Sequence, residues 1–155
     1  MTVAEKLVAL LKAQGLTCAT AESYTGGGVG SAITAVPGSS AVFAGGIISY
    51  ANEVKRDILG VPDHNLQTVG AVSSETAAQM AVGARRLLKT DLAVSLTGIA
   101  GPDGGSDEKP VGLVWFGLAT KDGVRTEKAI FRGDRAQVRA QAVTHALGML
   151  TIAAT

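Results

Sequence analysis

The stretch Thr20-Ala21-Glu22-Ser23-Tyr24-Thr25-Gly26-Gly27-Gly28 decides how this chain folds. An apolar run containing Leu16, Cys18, Ala19 and Ala21 leads into it, and a helical pattern with Val29, Ala32, Ile33 and Val36 leads out. That order predicts strand, tight turn and helix. Amides at a helix start lack intrahelical partners and point at whatever sits there. Glycine lets a ligand come close to such a backbone. Ser23 falls where a strand-end side chain faces the same spot. One short segment therefore offers a hydroxyl nucleophile beside anion-binding amides. It matches neither G-x-G-x-x-G nor the phosphate-loop pattern, so taken alone it serves packing as readily as function.

Working outward, Thr2 and Glu5 suggest a capping box, and Ala4, Leu7, Val8 and Leu11 share one helical face that Gly15 would end. Pro37-Gly38-Ser39-Ser40 marks a turn, and residues 42–50 read as a strand. Asn52 is the expected N-cap of a short helix running to Leu59 and closed by Gly60. Ser73 or Ser74 caps the next helix, whose buried face carries Ala77, Ala81, Ala84 and Leu88. Residues 91–99 form a short apolar run that predicts a buried strand. Residues 100–107 form a loop. Two strands, 111–119 and 124–131, flank Lys121-Asp122-Gly123, which predicts an antiparallel hairpin. Asp134 and Gln137 are a capping pair for the last helix. Helices alternate with strands early and a hairpin comes late. The expected fold is α/β, a three-layer α/β/α domain over residues 1–155 with a mixed sheet of five to six strands.

Composition narrows the function. Hydrophobic residues make up 46% and aromatics 4%, so the core is aliphatic. A net charge of +1 gives no field to recruit nucleic acid or an anionic membrane, and neither is expected as a partner. The Arg85-Arg86 pair near Lys89 sits at a helix end, where the helix dipole accounts for it. The single cysteine, Cys18, reads as a small buried hydrophobe. No signal-peptide pattern and no bilayer-length apolar run is present, which predicts a cytoplasmic protein. His64, in a turn, and His145, in mid-helix, have no ligand-like neighbours, so metal chemistry is not expected.

Three further segments carry candidate chemistry. In Ser49-Tyr50-Ala51-Asn52-Glu53-Val54-Lys55, capping by Asn52 would put Lys55 in the first turn. The positive end of the dipole there would lower its pKa towards that of a general base. Tyr50 could relay a proton through its hydroxyl. In the second, a buried strand delivers Thr97 and Gly98 to a Gly/Pro loop. Ser23, Tyr50 and Thr97 thus all lie at strand carboxyl ends, where ligands collect in open α/β sheets. In the third, Arg135 at a strand-to-helix junction could clamp a phosphate or carboxylate. Arg132 and Arg139 are alternatives, and Arg139 is better explained as a solvated helix residue.

Four stretches in this order, TAESYTGG (20–27), GGIISYANEVKRDILGV (45–61), GAVSSETA (70–77) and TGIAGPDGGSDEKPVG (97–112), resemble the C-terminal domain of the CinA (competence/damage-inducible) family. That domain also occurs alone as a nicotinamide mononucleotide amidase. The resemblance covers nearly the whole chain. It implies hydrolysis of a nucleotide carboxamide to nicotinate mononucleotide and ammonia, without a cofactor, by a serine–lysine amidase. Ser23 would be the nucleophile, Lys55 its base and Tyr50 their hydrogen-bonding partner. Thr25, Gly26 and Gly27 would offer amides, Thr97 and Gly98 would line the substrate, and Arg135 would hold its phosphate. It also implies a homo-oligomer, a dimer. Tyr24 departs from the commoner Cys of the family, and Ala51 from Ser. Tyr24 keeps a second reading open, a non-catalytic nucleotide-binding module of the competence or DNA-damage type.

Overall fold

The computed structural model describes all of residues 1–155. Five strands, β1 (Cys18–Glu22), β2 (Phe43–Ile48), β3 (Leu92–Gly98), β4 (Leu113–Thr120) and β5 (Gly123–Ile130), make one sheet in the order β2-β1-β3-β4-β5. β2, β1 and β3 run parallel, and β4 and β5 are antiparallel additions. The mixed sheet and the late hairpin are as the sequence predicts. The chain leaves β1 towards β2 on one side and returns to β3 on the other. The parallel carboxyl ends of β1, β2 and β3 therefore open a crevice at the point where strand order reverses.

Six helices cover the sheet: α1 (Val3–Gln14), α2 (Gly28–Thr34), α3 (Asn52–Asp57), α4 (Asp63–Thr68), α5 (Ser74–Leu88) and α6 (Arg135–Ala154). Side-chain alternation along the strands sorts the two faces. Cys18 of β1 and Leu92, Val94 and Leu96 of β3 pack with α1, α2 and α6. Ala19, Ala21 and Ala93 face Met80 and Ala84 of α5. Small residues on this second face let the helix come close. Ser95 Oγ donates to the Ala77 carbonyl of α5, and Thr97 Oγ1 donates to the Ala71 carbonyl just ahead of it. No helix is long and apolar enough to cross a membrane.

Local signals set the ends of most elements. Thr2 and Ser73 accept hydrogen bonds from the third amide of α1 and α5. Asp134 and Gln137 form a reciprocal capping box on α6. Gly15 takes the left-handed conformation that ends α1. Two expectations are corrected. Ala51, not Asn52, is the N-cap of α3, so Lys55 is its fourth residue, and the helix ends at Asp57. His64 lies in α4 rather than in a turn. That helix is six residues long and buries none of them, so it left no apolar periodicity to find.

Close packing of α5 on β4 is testable at Gly117. A Cβ there would run into the Ala77 carbonyl and come within 2.6 Å of Ser95 Oγ. Gly117→Ala is expected to lower the unfolding free energy by about 1–3 kcal/mol in urea titration, the usual penalty of overpacking. An unchanged midpoint would mean that the two elements lie farther apart.

Candidate active site

Ser23 follows β1 directly, and Lys55 reaches back from α3 beneath the end of β2. Both are buried, Ser23 at 7% and Lys55 at 1% exposure. Lys55 Nζ lies 3.1 Å from Ser23 Oγ, 2.7 Å from the Ser49 carbonyl oxygen and 3.0 Å from that of Tyr50. Lys55 takes part in none of the four salt bridges of the chain. Burial without an anion disfavours the charged ammonium, and the pKa falls from 10.5 to about 8. The cause is desolvation, not the helix-dipole placement that the sequence suggested.

The three contacts fix how the amine is used. A neutral amine has two hydrogens and one lone pair. Both carbonyls can only accept, so they take the two hydrogens. The lone pair is left facing Ser23, whose hydroxyl then donates to it. The backbone itself holds the lysine in the orientation a general base needs.

A cavity of about 270 Å³ opens over this pair, and Ser23, Tyr50, Lys55, Thr97, Gly98 and Arg135 all line it. A larger depression, about 430 Å³, lies between α1, α2 and α6 and is mainly apolar, so chemistry rather than volume locates the site. Tyr50 is 64% exposed, and it touches Lys55 through its main-chain carbonyl rather than the expected hydroxyl. Thr97 is present, but its hydroxyl hydrogen is committed to Ala71. Arg135 Nη1 donates to the Gly101 carbonyl at 3.0 Å, which leaves other guanidinium hydrogens free at the rim.

Thr25, Gly26 and Gly27 are not brought to the cavity wall. The Thr25 hydroxyl donates to Glu22, and the Gly26 amide donates to the Ser23 carbonyl. The first amides of α2 are not open to an outside anion either. Those of Val29 and Gly30 donate to the Glu22 carboxylate. The amides of Tyr24 and Thr25, the two that follow Ser23, have no acceptor within the protein. Arg139 is exposed on α6, as expected, but its guanidinium also donates to the Tyr24 and Thr25 carbonyls and ties the turn to α6.

Sequence reasoning gave no site role to Glu22, Asn52 or Asp103. The last two line the cavity. The signal for Glu22 was a carboxylate ending an apolar strand, a group that must find donors when buried. Tyr24 also lines the cavity while almost wholly buried at 5% exposure. Its ring edge rests on Gly98, where a Cβ would sit 2.9 Å from Tyr24 Cε1. Its hydroxyl is buried without a partner, and burial pushes its pKa upward against the charge of Arg139.

A family model described as the CinA C-terminal domain matches residues 1–153. The chain is 49% identical over 151 residues to the nicotinamide-nucleotide amidohydrolase PncC of Escherichia coli, covering 97% of this chain and 92% of that protein. It is 53% identical over 134 residues to a CinA-like protein of Parasynechococcus marenigrum, 86% of this chain but only 32% of that longer one. A crystal structure of the competence/damage inducible protein CihA from Agrobacterium tumefaciens superposes with a TM-score of 0.94 at 44% identity, over 98% of this chain and 93% of that one.

An unpartnered buried hydroxyl costs stability, by about 1–3 kcal/mol. Tyr24→Phe is therefore expected to raise the melting temperature by roughly 2–4 °C per kcal/mol recovered. A lower melting temperature would show that the hydroxyl has a partner in solution.

Proposed function

The chain belongs to the CinA C-terminal domain family, and from that premise we propose that it is a nicotinamide-nucleotide amidohydrolase of the serine–lysine type. Hydrolysis of an amide C–N bond rests on the Escherichia coli relative, which matches this chain over nearly its full length. The observation that carries the mechanism is the 3.1 Å contact between a buried, carbonyl-bonded Lys55 amine and Ser23 Oγ.

The steps follow from that contact. Lys55 takes the Ser23 proton as Oγ attacks the carboxamide carbon. The uncommitted Tyr24 amide, on the residue that lines the cavity beside Ser23, is the donor suited to the oxyanion, a role in which one donor is worth about 10²–10³ in rate. The Lys55 ammonium then protonates the leaving nitrogen, and ammonia departs. An ester on Ser23 remains. Lys55, neutral again, takes a proton from water as it attacks the ester and passes that proton to the departing Ser23 Oγ, which frees nicotinate mononucleotide and restores both Ser23 and the neutral amine. Arg135, with donors to spare at the rim, is the group suited to the substrate phosphate.

Ammonia release from nicotinamide mononucleotide, without added metal, tests this reading. Ser23→Ala and Lys55→Ala should each reduce kcat by ~10³-fold or more while leaving the circular dichroism spectrum unchanged. Normal turnover in either variant would refute the mechanism.

The pH dependence has a definite sign. Only the unprotonated Lys55 can accept the Ser23 proton, and its fraction rises with pH. The value of kcat/KM should thus climb through a midpoint at about 8 and level off above it. A profile already flat at pH 6 would rule out Lys55 as the base.

A further inference from the structure

Glu22 ends β1 one residue before Ser23 and is 1% exposed. No cation pairs with it. Oε1 accepts from Thr25 Oγ1 at 2.8 Å and from the Val29 amide at 2.9 Å. Oε2 accepts from the Gly30 amide at 3.1 Å and from Thr20 Oγ1 at 3.2 Å. Its main-chain carbonyl accepts from the Ser49 amide at 2.7 Å and from Ser49 Oγ at 3.2 Å. The carboxylate thus has all four of its lone-pair directions in use, each by a donor of fixed position.

We infer that Glu22 is the positioning residue of the Ser23–Lys55 pair, an inference that rests on the amidase reading above. Its side chain fixes the start of α2 against the end of β1. The turn 23–27 is therefore strung between two fixed points, and Ser23 has little freedom left. Its carbonyl fixes the end of β2 at Ser49. The Ser49 and Tyr50 carbonyls then set the place of Lys55 Nζ. One residue registers the nucleophile through its side chain and the base through its main chain. Thr25 belongs to this device rather than to the cavity wall, since its hydroxyl closes the turn onto Oε1.

The Glu22→Gln variant tests the inference. Glutamine keeps the size but places an NH₂ group against an amide N–H of Val29 or Gly30, where only an acceptor fits. Misplacement of a reacting group by about 1 Å costs on the order of 100-fold in rate. Glu22→Gln should therefore lower kcat for ammonia release by about 10–100-fold, with KM changed by no more than about threefold. Labelling of Ser23 by a fluorophosphonate reagent, which needs no substrate, should slow in parallel. Thr25→Val removes one donor to Oε1 and should shift both rates the same way by a smaller factor.

A Glu22→Gln protein with a lower melting temperature but unchanged kcat and labelling rate per folded molecule would reduce Glu22 to a stabilising residue and overturn the inference. So would a rise in KM at constant kcat. Wild-type protein that neither releases ammonia nor is labelled at Ser23 would overturn the amidase reading and this inference together. Wild-type protein labelled at Ser23 without ammonia release would remove only the substrate, and the labelling rates of the two variants would then decide the role of Glu22.

Discussion

A lysine amine buried with no anion beside it is the constraint on which this site turns. In water the ammonium of Lys55 would be the stable form. Enclosed between β2 and α3, it keeps two main-chain carbonyls and a serine hydroxyl as neighbours. A carboxylate within ion-pair reach would have favoured the charged ammonium. The carbonyls satisfy the amine's hydrogens without that effect. Desolvation lowers the pKa of this amine to about 8, and no histidine lines the cavity.

Placing that amine depends on the sheet. Three parallel strands end on one edge, and the reversal of strand order beside β1 leaves the crevice there unfilled. Ser23 comes from the central strand and Lys55 from the segment after the edge strand. Thr97 and Gly98 come from the far side. Glu22 and Arg139 brace the turn that carries Ser23, one through the amides of α2 and the other through the carbonyls of Tyr24 and Thr25. Small residues at Ala19, Ala21 and Ala93 bring α5 close to the sheet, and with it the Ala71 carbonyl that holds Thr97. The packing that stabilises the domain and the packing that shapes the cavity are therefore the same.

What was legible in the sequence was local. Ser73, the Asp134–Gln137 pair and Gly15 announce their helix ends because a cap acts within a few residues. The polar strand ends at Ser23 and Thr97 stood out because they break apolar runs. What was not legible depended on distant contacts. The low pKa of Lys55 comes from burial, which no first-turn argument contains. The amides of α2 read as a vacant anion site because their occupant, Glu22, lies seven and eight residues back on a strand. Arg139 bonds to carbonyls more than 110 positions away, so its place on the helix gave no hint. A sequence displays the Tyr50 hydroxyl, yet its main-chain carbonyl makes the contact.

The most direct measurement is the titration of Lys55 itself, followed by NMR on protein carrying ¹³Cε-labelled lysine, with Lys55→Arg identifying its resonance. One lysine should titrate at about 8, against 10.5 for an unperturbed side chain, and it should be missing from the variant. If the resonance lost in Lys55→Arg titrates near 10.5, the amine is an ordinary ammonium at neutral pH, and the account of Ser23 activation fails.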